Sequence, residues 1–485
     1  MYVLDRASVA RRLLQNTFVV LAGDVLARMS NSMLFLILAR SFGATGAGVF
    51  TTAMAFALLF TQMSFWGLDQ VLIRDVAPHP DEASRYVSGF LFARLVLATL
   101  LTLLLWGTVG GLGLYGTRER WVILLIGLTI LPDSLSNICQ ALYIACDRMI
   151  YLPVVASVQL ILRLGVGALL LFWTRSLLVL AGVLLASSLI TLAIHLFITH
   201  TRFGALSRRL DAAFVRRQLV DALPFLAISV LYNLEQRGDV LLLSAMRSAR
   251  DVGYYGGAVT IVTLFSLLPF AYRSALYPLM SQTYAESIDK LRSLYERSLR
   301  YLLAGMLPLL FAIALATPWV IGIFGESLAP AAPVLRVLIW SLLFTALTIA
   351  NARALIVAHR HSTLAWFLAI SLITNMALNL VLIPSLGPTG SAIAKVASTG
   401  LYFFLTLVAV RRYVVRAAWW TACRGPLGAA LAAAIVLLTV AGQATWVQMA
   451  APLLAYACGL VLLGGISRDD LGLLRQTLAG AGRGA

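Results

Sequence analysis

Charge is scarce in this sequence. Asp, Glu, Lys and Arg make up only 12% of its 485 residues, about half the share in a soluble globular chain. Apolar residues reach 61%, more than a water-facing surface tolerates, so the excess must face lipid. Runs that alternate apolar and polar residues are lacking, which excludes a membrane β-barrel. The four cysteines, Cys139, Cys146, Cys423 and Cys458, form no C-x-x-C pair, so free thiols are expected rather than a disulfide or metal centre. The five histidines lie mostly at helix ends. Phosphate-binding loops, H-E-x-x-H and G-x-S-x-G patterns are missing, and no connection is long enough for a soluble catalytic domain. The chain is therefore expected to be neither an ATP-driven pump nor an enzyme, and to hold no cofactor and no metal.

What is present is a series of continuous apolar stretches, each near the ~20 residues that cross a bilayer as a helix. Fourteen are predicted, near 17–39, 44–68, 86–113, 121–145, 150–173, 176–200, 219–245, 253–281, 301–325, 331–357, 362–383, 389–410, 426–442 and 445–465. The first contains Asp24 and Arg28 and lacks a small-residue cleavage site, so it does not read as a signal peptide. The fold class is an all-α polytopic membrane protein of about fourteen helices.

Net charge is +17, yet the positions of the charges exclude a nucleic-acid partner. With the N-terminus inside, 23 Lys and Arg fall on the cytoplasmic side and 6 on the other, the asymmetry that orients membrane proteins. Both termini are thus expected in the cytoplasm. The longest connections, 201–218 and 282–300, are basic. In the second, Ile288, Leu291, Leu294, Tyr295 and Leu299 recur at helical spacing, which predicts an amphipathic helix on the inner leaflet.

The chain repeats weakly at 205–212 residues. Ala47-Gly-Val-Phe-Thr-Thr-Ala-Met is similar to Val252-Gly-Tyr-Tyr-Gly-Gly-Ala-Val, and Ala145-Cys-Asp-Arg to Ala358-His-Arg. An even six-helix offset predicts two parallel, pseudo-symmetric six-helix bundles, the arrangement of transporters that rock about a central cavity. The expected organisation is an N-terminal bundle over 1–200, a basic cytoplasmic linker over 201–218, a C-terminal bundle over 219–412, and two extra helices with a tail over 413–485.

Three segments resemble a known family. Ala39-Arg-Ser-Phe-Gly-Ala-Thr-Gly-Ala-Gly-Val-Phe with Gly67-Leu-Asp-Gln-Val-Leu-Ile-Arg resembles the first helix pair of the polysaccharide flippases. These are the lipid-linked oligosaccharide exporters of the MATE-related multidrug/oligosaccharidyl-lipid/polysaccharide superfamily. Gly238-Asp-Val-Leu-Leu-Leu, Val252-Gly-Tyr-Tyr and Tyr277-Pro-Leu-Met-Ser resemble that family around its seventh and eighth helices. Asn375-Met-Ala-Leu-Asn-Leu-Val-Leu-Ile-Pro-Ser-Leu-Gly-Pro-Thr-Gly-Ser-Ala-Ile-Ala resembles its eleventh-to-twelfth junction. The resemblance implies a flippase that carries an undecaprenyl-diphosphate-linked glycan, such as an O-antigen or exopolysaccharide unit, across the bacterial inner membrane. Membrane lipids would be its surroundings. A peptidoglycan-precursor (lipid II) flippase and a cation-coupled drug exporter are the alternatives.

Eight basic residues remain inside the spans: Arg28, Arg94, Arg163, Arg237, Arg273, Arg336, Arg353 and Lys395. An ionised side chain near the bilayer centre costs ~2.5–3.5 kcal/mol on insertion scales, so it faces a cavity or a partner. Arg28 and Arg163 are expected near the midplane, and Arg273, Arg336 and Arg353 nearer helix ends, where snorkelling is cheap. Arg28, Arg94, Arg163, Arg237 and Arg353 are the expected substrate-binding residues, because a guanidinium grips phosphate oxygens bidentately. The acids in the same zone are Asp24, Asp133, Glu235 and Asp239. Asp24, Glu235 and Asp239 are expected to bind a coupling H+ or Na+. Glu235 and Asp239 share one face of the seventh helix, and Asn233 and Arg237 a nearly opposite one. A carrier of organic cations would want the reverse balance of charge.

Overall fold

The computed structural model describes residues 6–111, 113–204, 211–440 and 445–463, with side chains described, a few positions aside, from Val25 onward. All regular structure among the described residues is helical, which satisfies every backbone group within its own segment. Among the described residues ten helical stretches are long and apolar enough to cross a membrane. The first helix, α1 (Arg6–Phe65), spans 60 residues, far more than one crossing needs, and breaks at Gly43. That residue takes φ 65 and ψ −166, a conformation open to glycine alone at little cost. The break separates the first two expected spans. With the divided α1, a seventh span whose charges set it apart, and two shorter apolar helices near the C-terminus, about fourteen crossings are reached. The chain is an all-α polytopic membrane protein.

By contact the chain forms two compact units. The first holds residues 1–264, 324–331 and 375–391. After α1 come α2 (Leu68–Val76), α3 (Ala83–Gly111), α4 (Thr117–Gly127) and α5 (Ile130–Ala145). The last two form one crossing, broken at Leu128-Thr129, where Thr129 N–H donates to Ile126 O at 3.0 Å and Pro132 cannot continue the ladder. Next are α6 (Tyr151–Leu160), a π-helical turn over Ile161–Val166, α7 (Gly167–Thr174) and α8 (Leu177–Phe203). The unit continues through α9 (Ala212–Asp221), α10 (Leu223–Met246) and α11 (Ala249–Phe265). Pro224 stands in the first turn of α10, where its missing N–H is harmless.

Within this unit α9 gives the linker a fixed place. Asp211 caps the helix by accepting from Phe214 N–H at 3.0 Å, and the same carboxylate takes the Arg85 guanidinium at 2.9 Å. Val215 and Ala222 complete a buried cluster with Leu68, Leu72, Val87 and Phe90.

The second unit holds residues 265–323, 332–374 and 392–485. It contains α12 (Leu267–Glu286), α13 (Ile288–Gly322), α14 (Ala332–Leu338), α15 (Ser341–Val357), the first half of α16 (His361–Leu386), most of α17 (Pro388–Tyr413), α18 (Trp419–Thr439) and α19 (Thr445–Leu462). Asn351 braces three helices: it accepts from Tyr295 O–H at 2.6 Å and donates to Thr406 Oγ1 at 3.0 Å. Tyr456 of α19 donates to Ala304 O of α13 at 3.2 Å.

The expected surface helix after residue 281 is not separate. Ser287 ends α12 and caps α13, and residues 288–300 are the opening turns of that 35-residue helix. Leu291, Tyr295 and Leu299 are buried while Ile288 is exposed, so most of the apolar stripe packs on protein rather than lipid headgroups. These units group residues by contact, whereas the division at 201–218 groups them by sequence similarity; the two cut the chain at different places.

Candidate functional site

Two of the polar clusters inside the first unit bear on the expected site. The first is built on the π-helical turn, an insertion that costs hydrogen-bond quality and recurs at functional positions. Arg163 sits in it. Its Nε donates to Ser187 Oγ at 3.2 Å and its Nη2 to Ser188 Oγ at 3.1 Å, while Nη1 has no hydrogen-bond partner among the described residues. Asp133 interacts with Arg163 electrostatically and lies within reach of Ser188 and Thr129. Arg163, Asp133, Thr129 and Thr61 line a cavity of about 50 Å³, room for one or two waters. Two neutral hydroxyls thus orient a mid-span guanidinium and leave one edge of its fork open.

The second place is α10, which packs along α1. Glu235 and Asp239 are 6% and 2% exposed, so they face inward together as the helical period requires. Asp239 accepts from Tyr255 O–H and from Val240 N–H; Glu235 accepts from Gln236 Nε2 at 3.0 Å. Arg237, off that face, is half-buried. It feels Asp239 electrostatically but has no hydrogen bond or ion pair among the described residues.

The segment 375–391 joins this site. Gly238 stands against Met376, whose methyl carbon a Cβ at 238 would approach to 2.2 Å. Further along, the Arg247 guanidinium donates to Ile383 O at 3.0 Å and to Pro384 O. The two helices therefore run parallel, with Met376 beside Gly238 and Ile383 beside Arg247. Asn379 Nδ2 donates to Asn375 O at 2.8 Å. Its Oδ1, like Ser391 Oγ, is buried without a partner among the described residues. Sequence reasoning read these three only as part of a family motif. Two Asn four residues apart on an apolar helix were the signal that could have marked them as a site.

Arg94 has a different character from the other expected substrate ligands. It is fully buried; Nη1 donates to Asn137 Oδ1 at 2.7 Å and Ser134 O at 3.1 Å, and Nη2 meets Asp69 Oδ1 at 3.4 Å. The guanidinium also lies 4.6 Å over the Phe65 ring. It ties α1, α2, α3 and α5 together, with its Nε buried and without a hydrogen-bond partner among the described residues. Arg28 is half-buried and engaged. The Asp24 side chain lies outside the described residues. In the second unit, Arg353 stands 5.4 Å over Tyr277 and near enough to Arg273 to repel it. Arg273, which sequence depth placed among the snorkelling residues, therefore shares a cationic cluster with Arg353. Among the described residues no group of His, Cys, Asp and Glu is arranged to hold a metal ion.

Residues 13–284 match the family described as polysaccharide biosynthesis protein, which is more than half of the chain. The chain belongs to this family. Residues 224–381 also match the MatE family, so the region around α10 carries both signatures. A comparison with curated proteins gives no match. Among solved structures, the fold is similar to the lipid II flippase MurJ in an inward closed conformation, with TM-score 0.74 and 13% identity over 93% of this chain and 98% of that one. It is also similar to an inward-facing MATE multidrug resistance transporter of the MOP superfamily, with TM-score 0.67 and 11% identity over 80% and 94%. A MOP superfamily transporter from Pyrococcus furiosus gives TM-score 0.58 and 13% identity over 83% and 94%. This member of the polysaccharide biosynthesis protein family thus shares the MOP transporter fold.

Proposed function

We propose that this protein is a secondary flippase for a polyprenyl-diphosphate-linked oligosaccharide, an O-antigen or exopolysaccharide unit. It would move the head group from the cytoplasmic to the periplasmic leaflet of the bacterial inner membrane, with both termini in the cytoplasm. The observation that carries this reading is the set of guanidiniums inside the spans that make no close ion pair among the described residues, although Asp133 and Asp239 act on Arg163 and Arg237 through space. Arg163 is held by hydroxyls with Nη1 left over, Arg237 has no ion pair among the described residues, and Arg353, over Tyr277, stands near Arg273, itself over Phe270. A diphosphate offers paired anionic oxygens to such planar forks. The polyprenyl tail would remain in the bilayer while the head group crosses by alternating access. No chemical bond is made or broken, so the protein acts as a transporter and not as an enzyme.

The coupling cation would bind at Asp239. Tyr255 holds the Asp239 carboxylate in place, and the buried, unpartnered Asn379 Oδ1 and Ser391 Oγ of the segment beside α10 are the further oxygens this reading would recruit for Na+. Protonation of Asp239 or Glu235 is the corresponding H+ mechanism.

A lipid II flippase would use the same diphosphate chemistry, and the fold similarity to MurJ supports keeping it as the second reading. A drug exporter for organic cations is disfavoured, because the acids of α10 are almost completely buried and already engaged. Reconstituted vesicles discriminate these readings. Labelled polyprenyl-diphosphate oligosaccharide should cross the bilayer and a lipophilic cationic dye should not; transport of the dye alone would refute the proposal.

A further inference from the structure

We propose that each repeat carries, at the membrane face assigned to the cytoplasm, a two-arginine site for the phosphate of an anionic phospholipid headgroup. In the first unit, Arg148 after α5 and Arg202 at the end of α8 line a cavity of about 200 Å³ with Tyr151 and Phe203. The aromatic wall is built: Tyr143 stacks on Phe203 at 5.6 Å and meets Tyr151 edge-on at 5.4 Å. In the second unit, Arg360 after α15 and Arg412 near the end of α17 converge on one ring. They stand 4.6 Å and 5.4 Å from the centroid of Tyr413.

The two arrangements occupy repeat-related positions. Arg148 and Arg360 lie 212 residues apart, and Arg202 with Phe203 lie 210 before Arg412 with Tyr413. The backbone is shaped alike in both. Asp147 and His359 take φ 52 and φ 59, two of only four non-glycine residues with positive φ among the described residues. Each turns the chain so that the next N–H closes the preceding helix: Arg148 N to Tyr143 O at 2.7 Å, and Arg360 N to Leu355 O at 2.9 Å. A conformation disfavoured for residues with a Cβ is thus kept at both places, and it sets an arginine beside a second arginine and an aromatic ring.

None of the four guanidiniums has a carboxylate or hydrogen-bonding side-chain partner among the described residues, and all four are exposed. Two like charges beside one ring call for an anion between them. At the inner leaflet that anion is the phosphate of an acidic lipid: Arg recognises its oxygens in bidentate fashion and the aromatic ring sits at headgroup level. A zwitterionic headgroup carries its own cation and gains less. These sites lie at helix ends, apart from the mid-span arginines proposed for the transported substrate, so the two proposals stand or fall separately.

The test is thermal unfolding of the purified full chain in neutral detergent, titrated with phosphatidylglycerol, phosphatidylcholine or inorganic phosphate. Phosphatidylglycerol should raise the midpoint by several degrees. In Arg148→Gln/Arg202→Gln or Arg360→Gln/Arg412→Gln its half-saturating concentration should rise roughly tenfold, and in the fourfold variant the shift should vanish. Should the fourfold variant not fold, Arg202→Gln/Arg412→Gln, both at exposed helix ends, should show the same weakening. An unchanged phosphatidylglycerol response, an equal response to phosphatidylcholine, or a full response to inorganic phosphate alone would each overturn the proposal.

Discussion

Gly48 and Gly253 occupy one helix crossing from opposite sides. A Cβ on Gly48 would fall 1.6 Å from Ala249 O, and a Cβ on Gly253 would fall 1.9 Å from Ala44 O. Ala44 and Ala249 are 205 residues apart, as are the two glycines, so the contact is reciprocal under the repeat. Small residues four apart on each partner let the backbones of α1 and α11 touch, the packing that replaces the hydrophobic effect within lipid. Gly48→Val or Gly253→Val should therefore cost on the order of 3 kcal/mol or more, since backbone rather than a flexible side chain must move. Gly110→Ala, where a Cβ meets open space, should leave the melting midpoint within a degree or two. Thermal unfolding in detergent makes the comparison.

Arg94 and Arg237 should separate stability from transport. Removing Arg94 leaves Asp69, Asn137 and Ser134 O without their donor, so Arg94→Leu should destabilise by about 3 kcal/mol and lower the protein level. Arg237→Ala removes a half-buried side chain without an ion pair among the described residues. Its midpoint should stay near wild type while transport falls. Equal midpoints for the two variants would contradict these assignments.

Ion dependence should sit at α10 and 375–391. In Asp239→Asn, transport in vesicles should no longer respond to an imposed cation gradient. Asn379→Ala should raise the cation concentration for half-maximal transport roughly tenfold, the loss of one oxygen ligand being worth about 1.4 kcal/mol. A Na+ gradient and a pH gradient, imposed separately, distinguish the two cations. An unchanged gradient response in Asp239→Asn would remove this residue from coupling.

The linker should loosen in acid. The Phe214 N–H and the Arg85 guanidinium hold the Asp211 carboxylate below its usual range. A depressed pKa adds stability that is complete above the ordinary Asp value of about 4 and lost as pH falls through the lower folded value. Hydrogen exchange over residues 211–221 should be slow and constant from neutral pH down to about 5, then quicken below about 4 once corrected for intrinsic exchange. Asp211→Asn should show the faster exchange already at neutral pH.

Much of this architecture was legible in the sequence because lipid imposes simple rules. The apolar stretches located the spans, Gly43 fell between the first two, and helical periodicity placed Glu235 and Asp239 together, with Arg237 off their face. What periodicity could not supply was partnership. Arg94 and Arg237 look alike in sequence depth, yet one is wrapped by Asn137 and Asp69 and the other is not. Asn379 and Ser391 were passed over because neutral oxygens cost little in any span, and their orphaned atoms emerge only once 375–391 lies against α10. An amphipathic pattern such as Leu291 to Leu299 does not say what covers it; Tyr295 donating to Asn351 gives the answer.

Transport by the arginine variants tests the central claim most directly. Arg163→Ala, Arg237→Ala and Arg353→Ala should be reconstituted at equal protein level and assayed for transbilayer movement of a labelled polyprenyl-diphosphate oligosaccharide. Each should lose most of the wild-type rate, about tenfold or more for a charge-assisted phosphate contact, with the fold intact. Wild-type rates in all three would contradict the claim.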